Sequence, residues 1–330
     1  DQVALSKVAG EYDTRHAQTN TAFVLGSAEL FFWNPSDVAF LQGNISRMRA
    51  ALQFLKTEFD SGSNHYLTLP WVGHEGTSGV DMTKPNVADR YVHGKGVGSN
   101  YWDILPIGYK DFYDTIYYYE ALKAMSQIEK LIEDHPGWSI AANPYGEDSA
   151  SLSAKAENVA AAVTGGTTFW NAATGRYAPN VDVDGAMHDY GYTFVNLEAL
   201  AQGLADSTRA ASIFSWLDGT RTVAGDTSTG ADIYSPKFAA RASTKRNAEW
   251  YNIIWPQSEN YPFGTQVQDG GAILYVNYYD VMARLKYKSA DDAWNRFSAM
   301  LDHYREAQEE GGYRSYYGIR GVPMQGDGSA

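Results

Sequence analysis

The chain has 330 residues, of which 44% are hydrophobic and 20% are charged, so its composition is that of a globular protein and not of a disordered one. Its net charge of −13 repels phosphate backbones, which argues against a nucleic-acid partner. The absence of cysteine excludes disulfides, thiolate nucleophiles, zinc–thiolate sites and iron–sulfur clusters. No apolar run approaches the roughly 18 to 20 residues needed to cross a bilayer, so no membrane partner is expected.

The spacing of apolar residues predicts a series of helices separated by long polar loops. From Ser36 to Leu55, apolar residues recur at alternating steps of three and four, which marks one face of a helix. Similar spacing predicts helices over residues 109–133, 149–171, 188–206, 210–217, 270–286 and 289–304. Residues 235–255 are ambiguous, and the sparse strand signals lie at 21–26 and 65–72.

The predicted helices occur in pairs joined by loops of unequal length, which is typical of stacked helical hairpins. The sequence has no fixed repeat period, so a closed helical barrel is favoured over a solenoid. The predicted fold class is all-α, with a few short strands in loops. We expect one catalytic helical-barrel domain over residues 1–330, whose first 35 residues form an extended lead-in.

Four loops at predicted helix entrances mix carboxylates with aromatic rings, at residues 67–81, 92–111, 180–196 and 249–271. A sugar ring has apolar faces and a rim of hydroxyls, so a sugar site needs both kinds of side chain. Glycoside hydrolysis needs a protonated carboxyl that gives its proton to the leaving oxygen, and a second carboxylate that activates water or attacks directly. These loops therefore predict a carbohydrate site with acid/base chemistry.

Asp103 is the leading candidate for the acid, because apolar and aromatic neighbours such as Trp102 raise the pKa of a carboxyl. Asp269 has two glycines beside it that let a ligand approach the backbone, and Glu75 is flanked by glycine and histidine. Asp269 could equally be a helix N-cap, and Asp103 could bind backbone amides ahead of a helix.

Asp111 and Asp114 fall in the first turns of a predicted helix, where acids interact favourably with the helix dipole. This structural role is the better explanation for Asp114, whereas Asp111 could serve either the helix or a substrate. Neither residue is predicted to be catalytic.

Several other motifs argue against metal or cofactor chemistry. The HGKGVG segment lacks the spacing of a phosphate loop, and VDVDG has no downstream glutamate at the position that a calcium loop requires. The seven histidines show no zinc-binding spacing, and no G-x-S-x-G motif is present. No metal site and no cofactor are predicted.

Three segments resemble the six-hairpin (α/α)6 glycosidases, the group that includes glucoamylases, trehalases, processing α-glucosidases and α-rhamnosidases. The segments are GSNYWDILPIGYKDF, HDYGYTFVNLEAL and YPFGTQVQDGGAILYVNYYDVM, each at the opening of a predicted helix. The resemblance implies an (α/α)6 toroid of helical hairpins, and it does not extend to a particular subfamily. Seven or eight predicted helices, against twelve in a complete toroid, leave open an incomplete toroid, further domains or a missing N-terminal segment.

By position, the resemblance implies that Asp103 is the general acid and that Asp269, Glu75 or a residue outside these 330 is the base. It also implies inversion, because the two carboxyls in such sites stand roughly 6.5 to 9.5 Å apart. The sugar-binding side chains expected on this basis are Trp71, His74, Asn100, Tyr101, Trp102, Asp111, Asp189, Trp255 and Gln268. The predicted function is a glycoside hydrolase of bacterial type, extracytoplasmic, acting on a neutral or weakly charged oligosaccharide.

Two other functions stay open at this point. A polysaccharide lyase on a helical toroid would take a base from HDYGY at 188–192 and would neutralise a uronate with Arg241 or Arg246. The net charge of −13 and the carboxylate-rich loops argue against it. A non-catalytic carbohydrate-binding protein would keep the aromatic platforms but would not need two carboxyls with pKa values pushed apart.

Overall fold

Residues 6–8, 11–13, 17–59, 61–69, 109–182, 185–247, 257–267 and 269–312 are described by a computed structural model of the chain. Their contacts divide the chain into two units. The first unit consists of Asp1–Gly166 and Asn180–Ala186, and the second consists of Thr167–Pro179 and Met187–Ala330. The single catalytic domain expected over residues 1–330 stays a prediction.

Two helical hairpins form most of the first unit. Its described helices are α1 (Ala17–Trp33), α2 (Val38–Glu58), the single turn α3 (Ser61–Asn64), α4 (Phe112–Asp134) and α5 (Ser149–Thr164). α1 pairs with α2 and α4 pairs with α5, while α1 also packs along α4. Buried Arg49 of α2 donates two hydrogen bonds of 2.7 Å to the carboxylate of Glu129 on α4. Because α1 packs along α4, the first helices of the two hairpins lie side by side.

The second unit repeats this arrangement. Its described helices are α6 (Thr193–Gln202), α7 (Ser207–Leu217), α8 (Val276–Tyr287) and α9 (Ala290–Glu309). α6 packs along α8, and each is followed by the second helix of its hairpin, α7 and α9. Every residue from Thr193 to Leu200 is buried, so α6 is surrounded by protein over most of its length. No helix among the described residues is long and apolar enough to cross a membrane.

The described strands are only two or three residues long: β1 (Ser6–Val8), β2 (Glu11–Asp13), β3 (Leu67–Thr68), β4 (Lys110–Asp111), β5 (Trp170–Asn171), β6 (Arg176–Tyr177), β7 (Asn180–Val181) and β8 (Met187–His188). β1 pairs with β2 and β5 pairs with β6, both antiparallel. β4 lies between β3 and β7, with Asp111 opposite Leu67 on one side and Asn180 on the other. This small sheet holds the backbone immediately before α4.

The prediction of a mostly helical, all-α fold is confirmed. The helices expected at 36–55, 109–133 and 289–304 are present as α2, α4 and α9. The helices expected at 210–217 and 270–286 are present as α7 and α8, and the strand signal at 65–72 contains β3. The described part of the ambiguous segment, 235–247, contains no helix.

Helix α1 occupies Ala17–Trp33. The strand predicted at 21–26 is therefore wrong, and the extended lead-in predicted for the first 35 residues is wrong over the length of α1. The buried positions of α1 do follow helical spacing, but only Val24 and Phe31 among them are large and apolar. The others are small or polar: Asn20, Thr21, Ser27 and Ala28. A stripe of this composition leaves no visible apolar period in the sequence.

Three predicted helices are too long. The helix predicted at 270–286 begins only at Val276. α5 ends at Thr164, and the chain after it passes so close to the last turn that a Cβ at Gly166 would lie 2.0 Å from the carbonyl oxygen of Ala162, so glycine is needed there. α6 begins at Thr193 and not at 188, because Gly191 has a left-handed φ of +62°. The carbonyl of Gly191 accepts a 3.0 Å hydrogen bond from the N–H of Thr244, so this turn is bound to another loop.

Candidate functional site

Two carboxyls are buried at the start of α4. Asp111, fully buried, accepts a 2.9 Å hydrogen bond at Oδ1 from the N–H of Asp114, and its carbonyl oxygen accepts one of 2.5 Å from Thr115 Oγ1. Asp111 is thus the N-cap of α4. This is the helical role that the sequence left open for it, and its contact with a sugar stays a prediction.

Asp114 is equally buried, and no donor in the described part of the chain reaches either side-chain oxygen. Burial holds the pKa of Asp114 well above its usual range, and the charge of Asp111 raises it further. The helix-dipole role expected for Asp114 requires a charged carboxylate, so its burial opposes that role.

Glu120 is a second carboxyl on α4 whose pKa is raised by burial. Burial raises the pKa of Glu120 to about 7, against the opposing effect of Lys123. Among the described residues its Oε1 has no hydrogen-bond partner. One helix thus carries two carboxyls whose proton affinity has been raised by their surroundings. Such shifts are concentrated at sites of acid/base chemistry, although structural clusters produce them as well.

Replacing Glu120 with glutamine is expected to flatten the pH dependence of stability. The pKa of Glu120 is about 7 in the folded state and about 4.3 in the unfolded state. Between these two pH values the folded state holds a proton on Glu120 and the unfolded state does not. The free energy of unfolding of the wild type should therefore fall as the pH rises from about 4.3 to about 7. Glutamine does not titrate, so the variant should lack this pH-dependent fall. Thermal unfolding at several pH values measures it, with Glu157→Gln on the exposed side of α5 as control. A parallel decline in wild type and Glu120→Gln would contradict the prediction.

Asp189, just before α6, is held by four donors from the protein. Its Oδ1 accepts hydrogen bonds of 2.9 Å from Arg176 Nε and from the N–H of Gly191. Its Oδ2 accepts one of 3.0 Å from Asn171 Nδ2 and one of 2.6 Å from Thr174 Oγ1. The carboxylate fixes the turn that precedes α6, and its contact with a sugar hydroxyl stays a prediction.

Arg176 connects Asp189 to a second buried carboxylate. The arginine side chain is 1% exposed and donates hydrogen bonds of 2.6 and 2.9 Å to Asp226 and one of 3.1 Å to Thr244 Oγ1. Its guanidinium carbon lies 4.5 Å from the centre of the Trp216 ring. We call Arg176, Asp189 and Asp226 the Arg176 network. It joins β6, the entrance of α6 and the loop after α7.

Asp269 lies in the loop before α8 and is 1% exposed. Its Oδ1 accepts a 2.8 Å hydrogen bond from the N–H of Asn247, and its Oδ2 lies 3.6 Å from Arg246 Nη2. The side-chain amide of Asn247 donates a 3.1 Å hydrogen bond to the hydroxyl of Tyr192. The alternative that Asp269 caps the following helix is wrong, because α8 begins at Val276 with Tyr275 at the N-cap position.

The glycine after Asp269 has a structural reason. Gly270 has a φ of +83°, and a Cβ on it would lie 2.2 Å from the ring of Phe263. The ring of Phe263 thus fills the space that the sequence suggested for a ligand beside this residue. The backbone N–H of Gly270 donates a 3.0 Å hydrogen bond to Ser243 Oγ, which fixes the loop next to Asp269.

The two kinds of helix in each hairpin begin differently. The second helices α2, α5, α7 and α9 begin at exposed N-caps with a simple side-chain hydrogen bond to the backbone, namely Asp37, Asp148, Asp206 and Ser289. The first helices α4, α6 and α8 are preceded by buried carboxylates, namely Asp111, Asp189 and Asp269. Asp111 in the first unit, and Asp189 and Asp269 in the second, thus lie in the segments that enter first helices of hairpins.

Most of the predicted site lies outside the described residues: Asp103, Glu75, Trp71, His74, Asn100, Tyr101, Trp102, Trp255 and Gln268. Of the other three, Asp111 lies in the first unit, and Asp189 and Asp269 lie in the second. Segment 241–247 connects the latter two, because Thr244 binds the turn after Asp189 and Asn247 binds Asp269.

Sequence reasoning missed Glu120, Arg176 and Asp226. Glu120 follows three consecutive tyrosines, and that apolar context was the only local signal of its burial. Arg176 and Asp226 carry no such signal, because each is defined by a partner distant in the chain. Among the described residues, no three His, Asp or Glu side chains lie close enough to hold a metal ion.

Comparisons with known proteins do not place the chain in a family. A scan against protein-family models finds no match, and a search of curated proteins finds none either.

Proposed function

We propose that this protein is a glycoside hydrolase that cleaves a neutral or weakly charged oligosaccharide by carboxylate acid/base catalysis. The observation that carries the proposal is that buried carboxylates lie in the segments that enter three first helices, α4, α6 and α8. Exposed caps would suffice to begin these helices, as they do for α2, α5, α7 and α9. Burying a carboxylate costs free energy that its partners must offset, and an exposed cap avoids this cost, so we take the buried carboxylates as support for a functional role.

The arrangement of the hairpins supports a toroidal architecture within this proposal. In each unit the first helices pack together, and each is followed by a second helix, which is the order that a toroid of hairpins requires. We propose that the first helices form the inner layer and the second helices the outer layer. The loops that enter the inner helices would then line the substrate cleft.

Asp103 is the proposed general acid, and Asp269 or Glu75 is the proposed base. Burial raises the pKa of Asp114 at the start of α4, and a raised pKa is what a carboxyl needs to act as a general acid. Asp269 is fixed on one oxygen by Asn247, which suits a base that must keep its orientation. We propose inversion, for which the two carboxyls would stand roughly 6.5 to 9.5 Å apart.

The arginines that a lyase would use to neutralise a uronate are both engaged with carboxylates. Arg241 binds Asp232, with Nε–Oδ2 and Nη2–Oδ1 distances of 3.0 and 3.1 Å, and Arg246 lies 3.6 Å from Asp269. Neither arginine therefore offers an uncompensated positive charge to a substrate carboxylate. This observation favours hydrolysis over elimination.

A panel of neutral and uronate-containing oligosaccharides tests the reaction class. The purified chain should produce new reducing ends without the ultraviolet absorbance of unsaturated sugars. Absorbance would indicate a lyase. Binding of a sugar without either product would indicate a carbohydrate-binding protein.

Replacing Asp103 with asparagine should lower kcat/KM by about a thousandfold, within the usual range for loss of a general acid. Asp37→Asn is the matched control, because this exposed carboxylate caps α2 and takes no part in the proposed chemistry. The control should keep wild-type turnover. Turnover of Asp103→Asn within a few-fold of wild type would rule out Asp103 as the acid.

A further inference from the structure

The loop before α8 holds Asp269 by both its backbone and its side chain. The N–H of Asp269 donates a 3.1 Å hydrogen bond to the carbonyl of Gln266, and its carbonyl accepts one of 2.8 Å from the N–H of Gly264. Oδ1 of its side chain accepts the 2.8 Å hydrogen bond from the N–H of Asn247. The carboxylate is thus fixed from two sides and keeps one orientation.

Arg246 places a positive charge beside this carboxylate. Its Nη2 lies 3.6 Å from Oδ2 of Asp269, which is too far for a hydrogen bond but close enough for an opposite charge to favour the ionised carboxylate. The side chain of Asp269 is 2% exposed, whereas that of Arg246 is 31% exposed. Water can therefore solvate the arginine but reaches the carboxylate poorly, so the charge on Asp269 depends on this cation.

Two backbone carbonyls hold Arg246 in this position. Its Nη2 donates a 3.0 Å hydrogen bond to the carbonyl of Glu259 and a second hydrogen bond to that of Tyr261. A guanidinium Nη atom carries two hydrogens, so both of them are directed to the loop 259–261. Arg246 therefore acts on Asp269 through its charge and not through a hydrogen bond. This arrangement suits a base, because the arginine stabilises the carboxylate without donating to the oxygen that receives a proton.

Two other cations close to this loop have different surroundings. Arg241 donates a 2.6 Å hydrogen bond to the carbonyl of Gly270, but its charge is balanced by Asp232, whose two carboxylate oxygens it binds. Lys245 is exposed, so water and salt screen its charge. The ion pair to the buried carboxylate comes from Arg246.

We propose that Arg246 is a positioning residue that keeps Asp269 ionised, so that Asp269 serves as the base of the reaction. The inference rests on the proposed function and selects Asp269 over Glu75 as the base. In the catalytic step the oxygen of water forms a bond to the anomeric carbon and its proton passes to Asp269. The glycosidic bond breaks at the same time, and the leaving oxygen takes the proton of Asp103.

Carbon-13 NMR of the chain labelled at its aspartate carboxyl carbons tests the ion pair directly, and Asp269→Asn assigns the Asp269 signal. In Arg246→Gln, Asp269 should take up its proton at a pH about one unit higher than in the wild type. Arg246→Met, a second neutral variant, should give the same rise, and Arg246→Lys should largely restore the wild-type midpoint.

Arg305→Gln is the matched control, because it removes the same charge from a side chain that is 69% exposed. It should leave the midpoint unchanged, and circular dichroism should show that each variant is folded. A midpoint that does not rise in either neutral variant would overturn the inference.

The pH dependence of kcat/KM separates this inference from the proposed function. With a neutral oligosaccharide of the panel that the wild type cleaves, the acidic limb for Arg246→Gln should move toward neutral pH by the same amount as the NMR midpoint, because kcat/KM reports the base of the free enzyme. A limb that stays in place while the wild type cleaves sugar would overturn the inference and leave a hydrolase with another base, such as Glu75. A wild type that releases no reducing ends from the panel would overturn the proposed function, and the inference with it.

Discussion

Replacing Arg176 with methionine is expected to lower the free energy of unfolding by about 3 to 5 kcal/mol, the usual cost of removing one partner of a buried ion pair. Methionine fills part of the space but leaves Asp189 and Asp226 without their cation. The side chains of these carboxylates are 6% and 1% exposed, so water cannot replace the lost hydrogen bonds. Guanidinium unfolding followed by circular dichroism measures the change.

Two further variants separate the charge effect from simple loss of packing. Arg305→Met removes a surface arginine whose side chain is 69% exposed, and it should change stability by no more than about 0.5 kcal/mol. Asp226→Asn in the Arg176→Met background removes one unpaired charge and should restore part of the stability. A single-variant effect below about 1 kcal/mol would show that the Arg176 network is not a major source of stability.

Replacing Asp280 with asparagine is expected to cost about 3 kcal/mol, because Asp280 is the shared buried acceptor of three side chains. It is 1% exposed and accepts hydrogen bonds of 2.8 Å from Tyr234, 2.7 Å from Arg284 and 3.1 Å from Arg296. Asparagine keeps the shape but removes the charge. The two arginines on α8 and α9 then repel each other in a poorly solvated space.

Asp218→Asn is the comparison, because Asp218 also pairs with Arg284 at 2.8 Å but is 26% exposed. Water screens that pair, so the same change should cost less than about 1 kcal/mol. Thermal denaturation of both variants measures the difference. Equal losses at the two positions would contradict the argument that burial determines the cost.

The helical class could be predicted because helix formation imposes its period on the sequence. α2 and α9 were predicted from that period, since their buried or exposed apolar residues recur every three or four positions. α1 was missed because Asn20, Thr21 and Ser27 lie on its buried face. Small and polar residues on a buried face produce no apolar period in the sequence. In the structure these residues are nevertheless buried where α1 packs on α2 and α4.

The sequence predicted which loops carry the candidate site residues but not the contacts that these residues make. Asp111, Asp189 and Asp269 were selected from local composition, and all three precede first helices of hairpins. The sequence could not show that Asp189 is bound by Arg176, or that Asp269 is fixed by Asn247 and does not cap α8. Those contacts join loops that are distant in the chain, and no local spacing encodes them.

By itself, the sequence determined the elements of this protein: mostly helices, in hairpins, with carboxylates and aromatic rings in the loops between them. Tertiary structure alone decided which carboxyls have a raised pKa, because the pKa of Asp114 and of Glu120 depends on the low-dielectric surroundings that packing creates. It also decided which apolar stripes are buried. α6 is surrounded by protein over most of its length, whereas the equally periodic apolar stripe of α9 is exposed, because burial depends on neighbouring elements and not on the stripe itself.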